Sequence, residues 1–391
     1  MSARSGRVFW WLWAGTLLSA LATFVAPFLA MYLNSRGLRP SRVGLVVAGY
    51  GLGSLLAGPA AGVLSDAIGR RRTLLAALLA GALSAGALAV VQAPLAIAAA
   101  VLCFGAGMSA SRPPMRAVVA DVVPAAAVGR AFGWLYWAEN AGASVSLVAG
   151  GLLAARGWAL PFLVDAATTL GYAAVVFLRV PETKPMHPPA LDTMVGYGVV
   201  LRDGATLSLL GLVFLVHLVY AQCMVAMPLD MAGHGYGPAA YGSTVAVSAV
   251  LVVALQPFSA QALKGLSPAR TLALGALFTG LGLGAYGWCA SLWQWRVATA
   301  VWTLGEIVFY VTASATVAAL APPFARGRYL AAYGLCLSLA GFASPLVGPA
   351  VLEAKGPRIL WAGCLVLGAS AAAGFLAWGR GRAAAPAPSP L

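Results

Sequence analysis

The sequence predicts an all-α membrane protein whose twelve transmembrane helices form two six-helix pseudo-symmetric bundles, and three observations carry that prediction. Of 391 residues, 61% are hydrophobic and only 9% are charged, with a mean hydropathy of +0.88, whereas a water-soluble domain carries about a quarter of its residues as Asp, Glu, Lys or Arg. The charges that exist fall in short clusters between apolar runs about as long as a bilayer is thick. The two halves of the chain also repeat at one constant offset.

Taken in order, a span needs about 20 mostly apolar residues, and cutting at charge clusters and Gly/Pro turns predicts spans over 8–34, 42–65, 73–92, 95–122, 130–155, 159–179, 206–231, 239–262, 270–289, 294–320, 328–351 and 357–378. The start, MSARSGRVFWWLW, has a basic segment like that of a signal peptide, but its apolar run continues to about Leu33 without a cleavage pattern, so span 1 is read as retained. Spans 2 and 3 are joined by GVLSDAIGRRRTLL, residues 62–75, which packs one aspartate and three arginines into a chain otherwise poor in charge. Span 4 contains SASRPPMR, where Pro113 and Pro114 are expected to interrupt the helix and free carbonyls. Span 5 carries Ala138, Gly142, Ser146 and Gly150 at every fourth position, a spacing that lets helix backbones approach closely. After span 6, residues 180–205 contain four prolines and mixed charges and cannot span. The expected organisation is therefore an N-terminal bundle over 1–179, a cytoplasmic linker over 180–205, a C-terminal bundle over 206–379, and a disordered tail over 380–391.

Spans 7–12 repeat spans 1–6. A shift of 198 residues places Pro59 on Pro257, Arg72-Thr73-Leu74 on Arg270-Thr271-Leu272, Pro124 on Pro322, Gly129-Arg130 on Gly327-Arg328, and Gly150 on Gly348. The stripe of span 5 recurs in span 11 as Cys336, Ala340, Ser344 and Gly348. Two parallel six-helix repeats around a central cavity are the expected architecture of one class of transporters.

Charge sets the expected orientation. With a cytoplasmic N-terminus, inside segments carry fifteen Lys and Arg and outside segments seven, so both termini are read as cytoplasmic. The net charge of +14 does not indicate a nucleic-acid partner, because the basic residues sit between spans rather than on one wetted face. The five cysteines, Cys103, Cys223, Cys289, Cys336 and Cys364, lie singly in apolar runs and point to neither a disulfide scaffold nor a metal site. No phosphate-binding loop, metal spacing or nucleophile set is present, so no enzyme and no cofactor are expected.

With twelve spans, a six-plus-six repeat and GVLSDAIGRRRTLL between spans 2 and 3, the chain resembles the major facilitator superfamily over nearly its whole length. The family's loop signature, Gly-x-x-x-Asp-x-x-Gly-Arg-Arg/Lys, matches Gly62, Asp66, Gly69, Arg70 and Arg71. Gly62 is expected to let helix backbones meet and Gly69 to support a tight turn. Asp66 is expected to cap that turn or accept from amides. Arg70 is expected to pair with Asp121, an arrangement that the resemblance implies acts as a cytoplasmic latch in the outward-open state. Arg71 and Arg72 serve the positive-inside bias in any case. The second half has lost the signature, with Lys264, Ser267 and Pro268 at the corresponding places, so an asymmetric latch is expected.

Carboxylates inside spans are costly unless they meet water or a partner. Glu139 in span 5, Asp165 in span 6 and Glu306 in span 10 are therefore the prime functional candidates. Each either carries protons or substrate charge, or braces helices as a hydrogen-bonded group, and Asp165 sits nearest a helix end. Arg112 resembles the buried arginine that drug:proton antiporters carry in span 4, although the Arg-x-x-x-Gly context is absent. It is the expected partner of Glu139, while Arg116, nearer the surface, is an alternative partner for Asp121. Span 5 of such antiporters ends in Gly-Pro-x-x-Gly-Gly, and here Ser146–Gly151 keeps the glycines and lacks the proline. Further lining candidates are Tyr136, Trp137, Asn140, His217, Tyr220, Gln222, Trp302, Phe309 and Tyr310, whose aromatic members suit flat, lipophilic or cationic ligands.

The reading is a monomeric bacterial inner-membrane transporter that exports small, lipophilic or cationic molecules by proton antiport through alternating access. Its partners are the substrate and the lipid bilayer. A proton-coupled importer, a uniporter and a non-transporting membrane scaffold are the rivals.

Overall fold

The computed structural model describes residues 3–183, 198–322 and 325–384. Among the described residues the protein is all helical. Its helices are α1 (Ala3–Ala20), α2 (Val25–Ser35), α3 (Pro40–Ile68), α4 (Arg70–Val90), α5 (Pro94–Val122), α6 (Ala125–Ala154) and α7 (Ala159–Arg179), followed by the short α8 (Gly198–Leu201). The second series is α9 (Gly204–Tyr220), α10 (Gln222–Gly233), α11 (Pro238–Ala262), α12 (Pro268–Ala285), α13 (Leu292–Leu320), α14 (Arg326–Lys355) and α15 (Pro357–Ala384). Eleven segments among the described residues are long and apolar enough to cross a membrane. The twelfth expected span is α6, 30 residues long, whose hydropathy is diluted by Glu139, Asn140 and its tryptophans. Most of the linker, 184–197, and the tail from 385 lie outside the described residues. Residues 380–384, expected in that tail, belong instead to α15, where alanine favours the helix.

Two spans expected as continuous are broken. Span 1 divides into α1 and α2 around residues 21–24, and span 7 into α9 and α10 at Ala221. The two breaks are related by the offset of 198, so the internal repeat extends to this irregularity. At the first break Asp165 on α7, only 1% exposed, accepts through Oδ2 from the amides of Phe24 (3.0 Å) and Val25 (3.1 Å). Ser146 on α6 donates its hydroxyl to the carbonyl of Thr23 at 3.0 Å. These bonds supply what the helix ladder lacks in a setting without water. At the second break Gln222 donates to the carbonyls of Leu218 (3.3 Å) and Ser344 (3.2 Å), and Ser344 occupies the place of Ser146.

The small-residue stripe of α6 packs as expected on this first break: a Cβ added at Gly142 would collide with Ala20, 2.7 Å from its carbonyl carbon. In contrast, α5 runs through Pro113 and Pro114 without the expected interruption. Its close packing holds it on two sides, since added Cβ atoms would lie 2.8 Å from the Cα of Tyr50 at Gly105 and 2.6 Å from the amide of Gly81 at Gly107. Between helices in lipid such van der Waals contact, rather than expulsion of water, is the main source of association.

The chain forms two compact units. The first contains Met1–Ala190 together with Met224–Ala249 and Pro345–Glu353, and the second contains Leu191–Cys223, Val250–Ser344 and Ala354–Leu391. The boundary therefore differs from a plain six-plus-six division, because ends of spans 7, 8 and 11 join the first unit. Their contacts within it are intimate. Ser41 donates its amide to Glu353 at 2.8 Å, Phe28 and Tyr241 meet edge to face at 5.6 Å, and the backbone of Gly242 faces the carbonyl of Leu147. The cores of the first unit are built around Leu29, Val101, Phe104 and Phe162, and around Leu12, Leu78, Val118 and Val176. The core of the second is built around Leu209, Val213, Leu272, Phe309, Ala313 and Phe375.

Candidate functional site

Both mid-membrane glutamates stand at helix centres. Glu306 lies in the middle of the 29-residue α13, and Glu139 in the middle of the 30-residue α6. At about 1.5 Å per residue such helices cross the whole bilayer, so their centres lie near its midplane.

In the second unit, α13 is positioned by a close approach to α12. A Cβ at Gly305 would lie 2.6 Å from both the carbonyl of Gly275 and the amide of Thr279. With that face committed to α12, the neighbouring Glu306 reaches α9, where the Tyr220 hydroxyl donates to its Oε1 at 2.8 Å. Around this pair the aromatic candidates assemble. His217 Nδ1 lies 2.6 Å from the Tyr310 hydroxyl and the His217 ring stacks on Tyr220 at 5.8 Å. Tyr310 and Trp302 meet Tyr220 edge on at 5.4 and 5.6 Å. Trp302 is buried and donates to the Tyr286 hydroxyl at 2.7 Å, which is itself 2.7 Å from Thr299. The structure thus gathers Glu306, Tyr220, His217, Tyr310 and Trp302 into one cluster. Phe309 is fully buried in the core, and Gln222 braces the helix break.

In the first unit, Glu139 is half-buried and makes no ion pair or hydrogen bond among the described residues. It is flanked by an exposed aromatic surface. Trp137 stacks on Trp13 at 6.1 Å, Trp134 meets Trp137 at 6.2 Å and Trp10 at 6.2 Å, and Trp13 donates to the carbonyl of Trp134 at 3.0 Å. Tyr136 is also exposed, and Asn140 turns back to donate to its carbonyl at 2.8 Å. The tryptophans of span 1 were absent from the sequence candidates, although Trp10 with Trp13 and Trp134 with Trp137 stand at the three-residue spacing of one helix face.

Of the two roles open to Asp165, its contacts match the bracing one: it is committed to backbone amides at the break of span 1, and its other oxygen lies 3.5 Å from the Thr169 hydroxyl. Arg112 and Arg116 are exposed, and among the described residues neither forms an ion pair, because the expected partner Glu139 remains unpaired and Asp121 is taken by Arg70. A further membrane carboxylate, Asp230 near the end of α10, was not among the candidates; it is 4% exposed and 3.3 Å from His234.

The charged loop folds as an ionic knot. Arg70 pairs with Asp121 on α5, lies 3.7 Å from Asp66, and donates to the carbonyl of Ala117 at 3.2 Å. Capping of α4 falls to Glu182 rather than to Asp66. Glu182 accepts from the amides of Arg70 (2.7 Å), Arg71 (3.2 Å) and Arg72 (3.4 Å), where the helix begins without a capping side chain of its own. Gly69 makes this possible: its φ of +113° suits glycine, and a Cβ would meet the Glu182 carboxylate. Arg71 donates to the carbonyl of Phe177 and lies over its ring at 5.2 Å. Gly62 faces open space, so the helix contact expected there is not made.

Comparison with known proteins follows the same lines. The sequence profile of the Major Facilitator Superfamily matches residues 12–229 and 209–390. The MFS-type transporter YhjO of Bacillus subtilis is 26% identical over 354 residues, covering 89% of this chain and 87% of that protein. Multidrug resistance protein MdtH of Aeromonas salmonicida is 26% identical over 369 residues, covering 93% and 92%. Among solved structures, a mutant of the nucleoside transporter NupG superposes with a TM-score of 0.81 at 12% identity over 95% of this chain and 99% of that one. A D-xylose-proton symporter superposes with a TM-score of 0.76 at 16% identity, over 95% of each.

Proposed function

The chain belongs to the major facilitator superfamily, and from that premise we propose that this transporter exports small lipophilic or cationic molecules in exchange for protons. The observation that carries the reading is the carboxylate of Glu306, held by Tyr220 at the centre of α13 among His217, Tyr310 and Trp302. A carboxylate at that depth takes up and gives back a proton when a hydrated path reaches it from alternate faces. Glu139 supplies a second carboxylate at a helix centre, in the first unit, beside tryptophans that offer flat surfaces to aromatic or cationic ligands. Similarity to multidrug resistance proteins supports export of such compounds, while the solved structures, at 12–16% identity, support the fold alone.

In this reading the protein is a monomer of the bacterial inner membrane with both termini in the cytoplasm. The contacts of Ser41 with Glu353 and of Phe28 with Tyr241 then form an outer gate, and the knot of Asp66, Arg70 and Asp121 governs the inner end. Growth of an efflux-deficient bacterial host against ethidium, a fluoroquinolone and other toxic compounds tests the proposal. The native chain is expected to raise resistance at least fourfold to some of them, and Glu306→Gln to abolish the gain. Resistance that survives Glu306→Gln and Glu139→Gln alike would contradict it.

A further inference from the structure

The ionic knot of the first half has a counterpart in the second that is open. Applying the offset of 198, Asp66, Asp121 and Glu182 correspond to Lys264, Ala319 and Arg380, and Arg70 corresponds to Pro268. Where the first half fills the space with an arginine–carboxylate cluster, the second holds a groove of about 1080 Å³ between the ends of α11, α12, α13 and α15. Arg270 and Arg380 stand in its wall, with Lys264 adjoining. Among the described residues none of these three forms an ion pair, and all three carboxylates of the first-half knot are missing from the corresponding places.

The rest of the groove is long and mainly apolar, with Ser259, Ser267, Thr271, Thr312 and Thr316 among its lining and the hydroxyls of Thr312 and Thr316 bonded back to carbonyls of their own helix. Along α13 it runs from Ile307 to Leu320, which at about 1.5 Å per residue is about 20 Å. One leaflet of hydrocarbon is about 15 Å thick, half of the bilayer core. Val311 and Leu376 in its walls are 51% and 40% exposed. A cationic end joined to an apolar trough of leaflet depth matches an amphiphile with an anionic head and fatty chains.

We infer that this groove binds an anionic phospholipid, its phosphate between Arg270 and Arg380 and an acyl chain along α13, so that lipid supplies the negative charge the first half supplies from Asp121 and Glu182. The site is independent of the transport reading, since it needs neither Glu306 nor Glu139. The test is native mass spectrometry of the full-length protein released from micelles containing equal phosphatidylglycerol and phosphatidylethanolamine. Phosphatidylglycerol should be retained at least fivefold over phosphatidylethanolamine. Arg270→Gln with Arg380→Gln should remove the preference, and Arg380→Glu, which restores the acid found at residue 182, should remove it alone. Ala315→Trp, which fills the trough without changing charge, should reduce retention of the lipid at least fivefold, and millimolar glycerol phosphate should not compete. Equal retention of the two lipids by the native chain, a preference that survives in folded Arg380→Glu, or displacement by glycerol phosphate would overturn the inference.

Discussion

Tyr220 on α9 donates its hydroxyl to Glu306 on α13 at 2.8 Å, joining the residue just before the break of span 7 to the centre of span 10. A hydrogen bond to a charged acceptor is worth about 1.5–3 kcal/mol. Tyr220→Phe keeps the ring packing against Trp302 and Tyr310 and removes only that bond. It is expected to lower gradient-driven transport at least tenfold while lowering the thermal midpoint by only a few degrees, measured on reconstituted protein. An unchanged transport rate would remove Tyr220 from the account.

Asp165 should behave differently from both glutamates. Asp165→Ala leaves the amides of Phe24 and Val25 buried without their acceptor, at a cost of about 2 kcal/mol or more. Thermal unfolding in detergent should show a lower midpoint for this variant, and Glu139→Gln should unfold like the native chain. Loss of transport in a stable Asp165→Ala protein would return Asp165 to the functional group.

For the ionic knot, Glu182→Gln is expected to cost about 0.5–1 kcal/mol through weaker capping of α4. Arg70→Ala and Asp121→Ala should each cost more, and the double variant less than their sum, with a coupling of about 0.5–3 kcal/mol. Additive losses in the double-mutant cycle would deny the pair.

In the proposed outer gate, closure on the Ser41 and Glu353 side depends on backbone contact. A side chain at Gly242 collides with the carbonyl of Leu147, and overpacking of this kind costs about 1–3 kcal/mol. Gly242→Val is therefore expected to expose a cysteine placed at Ser41 to a membrane-impermeant thiol reagent several-fold faster than in the native background. Equal labelling would show that this contact does not hold the gate.

Asp203 provides the acid-side dependence. Burial raises its pKa, but hydrogen bonds from the Thr206 amide and hydroxyl, the Tyr329 hydroxyl and the Ala205 amide outweigh that effect and hold it below the ordinary 3.8. A depressed carboxylate stabilises the fold fully above its ordinary value and loses that contribution as pH falls through the depressed one. Asp203→Asn should thus flatten the decline in thermal midpoint below about pH 4. A decline equal to that of the native chain would place the acid sensitivity elsewhere.

What the sequence revealed was local or periodic. The spans and the repeat could be read because hydropathy and one constant offset encode them, and the pairing of Arg70 with Asp121 because the family resemblance implied it. The breaks in spans 1 and 7 were hidden because no glycine or charge marks them, although Pro27, in the first turn of α2, was a usable signal of a helix start. The capping roles of Glu182 and Asp165 were hidden for a common reason: each caps a helix more than a hundred residues away, and only the uncapped amides after Gly69 hinted that a distant carboxylate was required. The clustering of His217, Tyr310 and Trp302 around Glu306 needed helix rotation, which composition does not give.

The central claim is that the carboxylate of Glu306 exchanges protons for substrate, and accumulation of ethidium by proteoliposomes under an imposed proton gradient tests it most directly. Native protein is expected to accumulate the dye against its gradient and to release protons as it does so. Glu306→Gln should lose both at least tenfold while binding ethidium within about threefold of the native affinity. Undiminished accumulation and proton release by Glu306→Gln would contradict the account.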